Sequence, residues 1–244
     1  MTTSVSPAAL AGKFARLRLA DLFFPFMALL IIASVFLGFA RTFFLAPLYH
    51  YHLPNLLVAL HGILFSSWIA LFAVQASLVP AGRVDLHKKL GVVGAILVAL
   101  VFLMGQAVMV EGLRRGGDAF RGQDEAQVLA LDEVGLVISL AVFTAGLLLR
   151  RQPAAHKRLM LFGTLGMLGP AIARWPFALV LVKPSVVGLV LLAFALLPIA
   201  FDLLTMRRVH RATWLGAITL LITPPIALRL AATPFWHHLL ASLK

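Results

Sequence analysis

The 244 residues are 61% apolar with a mean hydropathy of +1.00, above the roughly 45–50% apolar share of a soluble domain, so one water-soluble core cannot hold them. A formal charge of +12 and an isoelectric point near 11.4 would suggest nucleic-acid binding in a soluble chain, since basic surfaces attract phosphates. Here the basic residues sit in short clusters between apolar runs, which makes them membrane anchors and leaves the lipid bilayer, with no nucleic acid, as the partner that composition implies. The sequence has no cysteine, which excludes disulfides, thiolate metal ligands, iron–sulfur clusters and a cysteine nucleophile.

In chain order, Lys13, Arg16 and Arg18 precede an apolar run from Leu22 to Ala40. That run is longer than the roughly 7–15 residues of a signal h-region, so it reads as an uncleaved first helix. Further apolar runs follow, giving spans at about 22–43, 54–80, 88–110, 127–149, 157–178, 184–204 and 212–231. Each approaches the ~20 residues that cross a ~30 Å hydrocarbon layer. Continuous stretches such as Leu189 to Leu197 lack the alternation of a membrane β-barrel and favour helices, which satisfy their own backbone hydrogen bonds. The predicted fold is therefore all-α: an integral membrane bundle of seven transmembrane helices in one domain over 1–244. The weakest boundary lies between the fifth and sixth spans, around Trp175-Pro176 and Lys183-Pro184.

Orientation follows from Lys and Arg. One side receives Lys13, Arg16, Arg18, Arg83, Lys88, Lys89, Arg150, Arg151, Lys157, Arg158, Arg207, Arg208 and Arg211, thirteen of the 21 basic residues. This predicts an N-terminus inside and a C-terminus outside, in a bacterial cytoplasmic membrane. The longest loop, about 111–126, is too short for a soluble domain.

The third, fifth and seventh spans each begin with a His followed by a basic residue: His87-Lys88-Lys89, His156-Lys157-Arg158 and His210-Arg211. Spacings of 69 and 54 residues fit a diverged two-helix repeat. Two readings of these pairs are open. They can mark the headgroup boundary, where basic side chains snorkel. Alternatively, His87 and His156 can ligate a haem iron, with Lys88, Lys89, Lys157 and Arg158 meeting its propionates.

Other polar groups lie inside the apolar runs. His61, Trp68 and Gln75 recur at seven-residue steps on one face of the second span, with Phe65 and Phe72 beside them. Such intramembrane groups face a bundle interior or cavity. His61 is either a neutral structural imidazole or part of a cofactor or proton-transfer site. Asp132 and Glu133, near the start of the fourth span, are its candidate partners, or are simply acids favoured by a helix N-terminus. No tight metal motif such as His-Glu-x-x-His occurs, and the sequence does not say whether the chain is an enzyme. Gly163-x-x-Gly166-x-x-Gly169 reads as a small-residue stripe for close helix approach, and Pro170, Pro198 and Pro224-Pro225 as helix kinks or breaks.

The stretch from His61 through Gln75 and Arg83 to His87-x-x-Leu90-Gly91 resembles the core of the transmembrane ascorbate-reducible b-type cytochromes and related bacterial multi-pass membrane proteins. The resemblance covers about 100 residues. It implies a four-helix core in spans two to five, with His87 and His156 ligating an inner haem b. The family's outer haem would need a His in the fourth span, which has none, so the resemblance does not extend to a diheme conduit. The function read from the sequence is a membrane redox protein with one haem near the cytoplasmic side, exchanging electrons with quinone or another electron-transfer partner. The alternative is a non-enzymatic transport or assembly protein whose histidines are structural or relay protons. Oligomeric state is not legible.

Overall fold

A computed structural model describes residues 19–52, 55–116, 124–177 and 185–244. The basic cluster of Lys13, Arg16 and Arg18, the centre of the 111–126 loop and the weak boundary at 178–184 lie outside the described residues. Among those described there are nine α-helices and no strand. They are α1 (Leu19–Phe39), α2 (Leu56–Leu78), α3 (Val84–Arg115), α4 (Glu125–Leu148), α5 (Pro153–Gly166), α6 (Gly169–Ile172), α7 (Ser185–Met206), α8 (Arg211–Ala231) and α9 (Pro234–Leu243). Six of the segments are long and apolar enough to cross a membrane: Asp21–Phe44, α2, α3, α4, α7 and α8. Their outward faces carry exposed Leu29, Val92, Leu189 and Leu204, which water would not tolerate as a continuous coat but lipid does. The fold is that of a multi-pass helical membrane protein.

Local chemistry sets the helix ends. The Asn55 carboxamide oxygen accepts from Val58 N at 3.0 Å and caps α2, while its Nδ2 donates to Glu111 Oε1 at 2.6 Å near the end of α3. Asp124 caps α4 by accepting from Gln127 N at 2.8 Å. Such caps satisfy amides that no helical carbonyl can reach. Just past the same end of α3, Gly116 adopts φ 76°, a positive value that a side chain would resist. The C-terminal end of α1 continues as a π-helical turn, Ala40–Phe44, and a 3-10 turn, Ala46–Tyr49.

The predicted fifth span differs most from expectation. In place of one continuous helix over 157–178, the chain forms α5 and the one-turn α6, separated at Met167 and Leu168. Pro170 accounts for the break, because it has no N–H to donate and its ring crowds the carbonyl one turn back. Leu159, Leu161, Leu165 and Leu168 are each 0% exposed and Phe162 is 1% exposed. A helix buried all round must have partners all round, and α5 packs against α4, α8, α7 and α1. Glycine permits these approaches: a methyl at Gly163 would sit 2.8 Å from the Phe143 ring, and methyls at Gly166 and Gly216 would overlap Ser139 and Phe162. The small-residue stripe thus works as a packing surface. Pro198 and Pro224-Pro225, by contrast, sit inside α7 and α8 without ending them.

The chain beyond the last predicted span is also ordered. Thr233 caps α9, and Trp236 Nε1 donates to Ala126 O at 2.9 Å, seating α9 across the start of α4 and the end of α3. Leu113, Leu129, Ala130, Ala227 and Leu240 complete a second, smaller core there.

Candidate functional site

His87 and His156 occupy the same position in two different helices, the fourth residue of α3 and of α5. Each backbone N–H bonds to the residue before its helix, His87 N to Arg83 O at 3.0 Å and His156 N to Gln152 O at 2.9 Å. Their rings meet with centroids 6.1 Å apart and planes at 81°. This joins α3 to α5 where the closest helix pairings are α2 with α3 and α4 with α5. His156 Nδ1 lies 2.8 Å from Gly146 O, so it carries the proton and leaves Nε2 with its lone pair. Gln75 Nε2 donates to His87 O at 3.1 Å and ties the end of α2 to this corner. His87 Nδ1 and Gln75 Oε1 are buried without a hydrogen-bond partner among the described residues.

The four basic residues that follow the two histidines have separate surroundings. Lys88 and Lys89 are exposed. Lys157 Nζ lies 4.7 Å from the centre of the Phe24 ring. Arg158 is 3% exposed and turns the opposite way from His156, into an internal ion pair with Asp202, itself 0% exposed. Its Nε donates to Asp202 Oδ1 at 3.1 Å and to Thr213 Oγ1 at 3.1 Å, and its Nη1 donates to Ala154 O at 2.8 Å. Thr213 Oγ1 and His210 N both donate to Asp202 Oδ2. One carboxylate thereby gathers α5, α7 and α8.

His210 does not repeat the geometry of the other two. It is the N-cap of α8, with its Nδ1 accepting from Ala212 N at 3.1 Å. That role requires a neutral imidazole. Partial burial, and next the Arg158 guanidinium, hold its pKa below the usual histidine value. Asp202 and Thr213 escaped the sequence reading, although one signal was present: Asp202 is the only acid after Glu133, and it lies inside an apolar run, where a carboxylate needs a partner.

A second cluster occupies the opposite end of the bundle, about 21 Å along α2 from Gln75 at the helical rise. His61 faces a cavity of about 600 Å³, with the Phe65 ring 6.3 Å away, and its Nδ1 is buried without a partner among the described residues. The two candidate acids do not form its hydrogen bonds. Glu133 Oε2 accepts from Gln106 Nε2 at 2.8 Å, and Asp132 is exposed on the flank of α4. Between the two ends, Trp68 and Phe72 are buried on the predicted face of α2, with Trp68 edge-on to Phe143 at 5.1 Å. Among the described residues, no three His, Asp or Glu side chains converge as a metal site would require.

The architecture and these clusters define the class, a multi-pass α-helical membrane protein with a histidine pair at one end and the His61 cavity at the other. The chain matches no family model, no curated protein and no solved structure.

Proposed function

We infer that this protein is a membrane redox protein that binds one b-type haem between His87 and His156. The observation that carries the reading is the 6.1 Å separation of the two rings, contributed from equivalent first-turn positions of separate helices. Imidazoles bound on opposite sides of one metal at bonds of about 2 Å have centroids about 6 Å apart. Crossed ring planes are compatible with that arrangement. Two ligands suffice for haem, whereas a mononuclear zinc or iron site would need a third. Gly91, one turn beyond His87, also suits a flat ligand: only Gln75 Nε2, at 3.7 Å, lies near the position a methyl would take.

A bound haem would supply one-electron chemistry; the remaining functions belong to the chain. The Gly146 carbonyl holds the proton of His156 on Nδ1, which would leave Nε2 to ligate the iron. Gln75 holds the His87 turn in place. Lys88 would be the partner for a propionate, since Lys89 stands two residues beyond His87 and so turns away from it, Arg158 is held by Asp202 and Lys157 lies over Phe24. Quinone or another electron-transfer partner would exchange electrons at this end.

The proposal includes seven crossings with the N-terminus inside a bacterial cytoplasmic membrane. Support for a fifth crossing by α5 and α6 comes from α1: Lys157 lies over Phe24 near its start, and Ala171 packs on Gly38 near its end. The excess of Lys and Arg on the His87/His156 side puts the haem at the cytoplasmic end.

Protein purified after haem-replete expression is expected to give α and β bands in a reduced-minus-oxidised spectrum. A folded, monodisperse and colourless protein would contradict the proposal and favour the transport or assembly alternative, with His87 and His156 as a structural or proton-relaying pair.

A further inference from the structure

The cavity at the far end has a composition that the haem reading does not use. Its wall is built by the π turn after α1, the start of α2, the end of α3 and the residues after α6. Arg41, Arg115 and Arg174 reach it from three of these segments, and His61 Nδ1 adds a buried polar atom without a protein partner among those described. No Asp or Glu belongs to the described wall. Two acids stand behind it, Glu111, 3.8 Å from Arg115 Nε, and Asp132, which is close enough to Arg174 to interact with its charge. Arg41 lies 5.1 Å from the Tyr49 ring centre, and Arg174 lies 5.2 Å from that of Phe39 while donating to Pro170 O at 2.8 Å. Apart from Thr42 and Ser66, the rest of the wall is mostly apolar and aromatic, including Phe43, Phe65 and Trp175.

Cationic groups gathered beside an apolar surface at a membrane edge favour an anion, because the planar fork of a guanidinium matches the oxygens of a carboxylate or phosphate. A small soluble anion would leave the aromatic wall unused. About 600 Å³ lies within the roughly 300–1,000 Å³ range of small-molecule sites. We propose that this cavity binds a single-chain amphiphile with an oxyanion head, the head meeting Arg41, Arg174 and His61 and the chain lying against Phe43, Phe65 and Trp175. The site is independent of haem binding.

Trp175 makes occupancy measurable, since a bromine atom brought against an indole quenches its fluorescence. The protein in zwitterionic phosphatidylcholine nanodiscs is titrated with dibromostearic acid, brominated lysophosphatidic acid and the neutral dibromostearyl alcohol. Saturable quenching by at least one anionic probe is expected at about one tenth of the alcohol concentration, the effect of one charge-assisted hydrogen bond or more. The carboxylate and phosphate arms then identify the preferred head. Arg41→Gln/Arg174→Gln should raise the half-quenching concentration about tenfold or more, and Trp175→Phe should remove the saturable component. Equal half-quenching by alcohol and both anions in the unmodified protein would overturn the proposal whether or not the variants fold. Unchanged anion binding in a folded double variant would also overturn it.

Discussion

Arg158 and Asp202 form a buried ion pair whose remaining lone pairs and protons are used by Thr213, the His210 amide and the Ala154 carbonyl. Removing either charge strands the other in an apolar setting. Arg158→Ala and Asp202→Ala are each expected to destabilise the protein by about 3–5 kcal/mol, while the double variant costs much less than the sum. Denaturation in detergent micelles checks this with a double-mutant cycle, and additive single effects would show that the pair is not coupled.

The His210 cap gives a pH dependence of known sign. Its folded-state pKa is lowered by burial and Arg158, opposed by Asp202 and reinforced by Arg208 and Arg211. The folded state therefore binds the proton less well than the unfolded chain. Stability from this cap is fully present above the ordinary histidine pKa of about 6.5 and is lost as pH falls from there through the folded value. His210→Asn, which caps without titrating, should flatten part of the acid-side decline in melting temperature. An identical decline in the two proteins would exclude His210 as its source.

Close packing at Gly216 makes a third expectation. A methyl there would overlap Phe162, so Gly216→Ala should destabilise by about 1–3 kcal/mol. Gly188 in α7 has nothing within 4 Å of the equivalent position, and Gly188→Ala should be neutral or slightly stabilising. Melting temperatures of both variants give the comparison; equal losses would contradict the packing argument.

Strong local hydropathy made six spans legible, because an apolar run of sufficient length has few alternatives in a bilayer. The α5–α6 break was only half legible. Pro170 and the glycine stripe signal a kink and a close approach, but burial of α5 on every side depends on four other helices. The amphipathic α9 is ten residues long, and its place depends on Ala126 offering a carbonyl to Trp236. His87, His156 and His210 share similar surroundings in sequence, but only the first two bring their rings together, so the repeat alone does not separate the pair from the cap. Adjacency to His156 points to Arg158 as part of the same site, yet residues two apart on a helix point to nearly opposite sides. That rotation turns Arg158 towards Asp202 and away from the histidine corner.

Topology can be checked without purification. In the seven-span reading, a reporter inserted near Gln152 faces the cytoplasm and one fused after Lys244 faces the exterior. Both reporters on the same side would mean that α5 and α6 return without crossing.

The central claim is that His87 and His156 hold one iron between them. Single substitutions His87→Ala and His156→Ala should each abolish or severely reduce the Soret and α bands of the purified protein, while His210→Ala, altering only the α8 cap, leaves most of the absorbance. Retention of full haem absorbance in either of the first two variants, with folding intact, would contradict it.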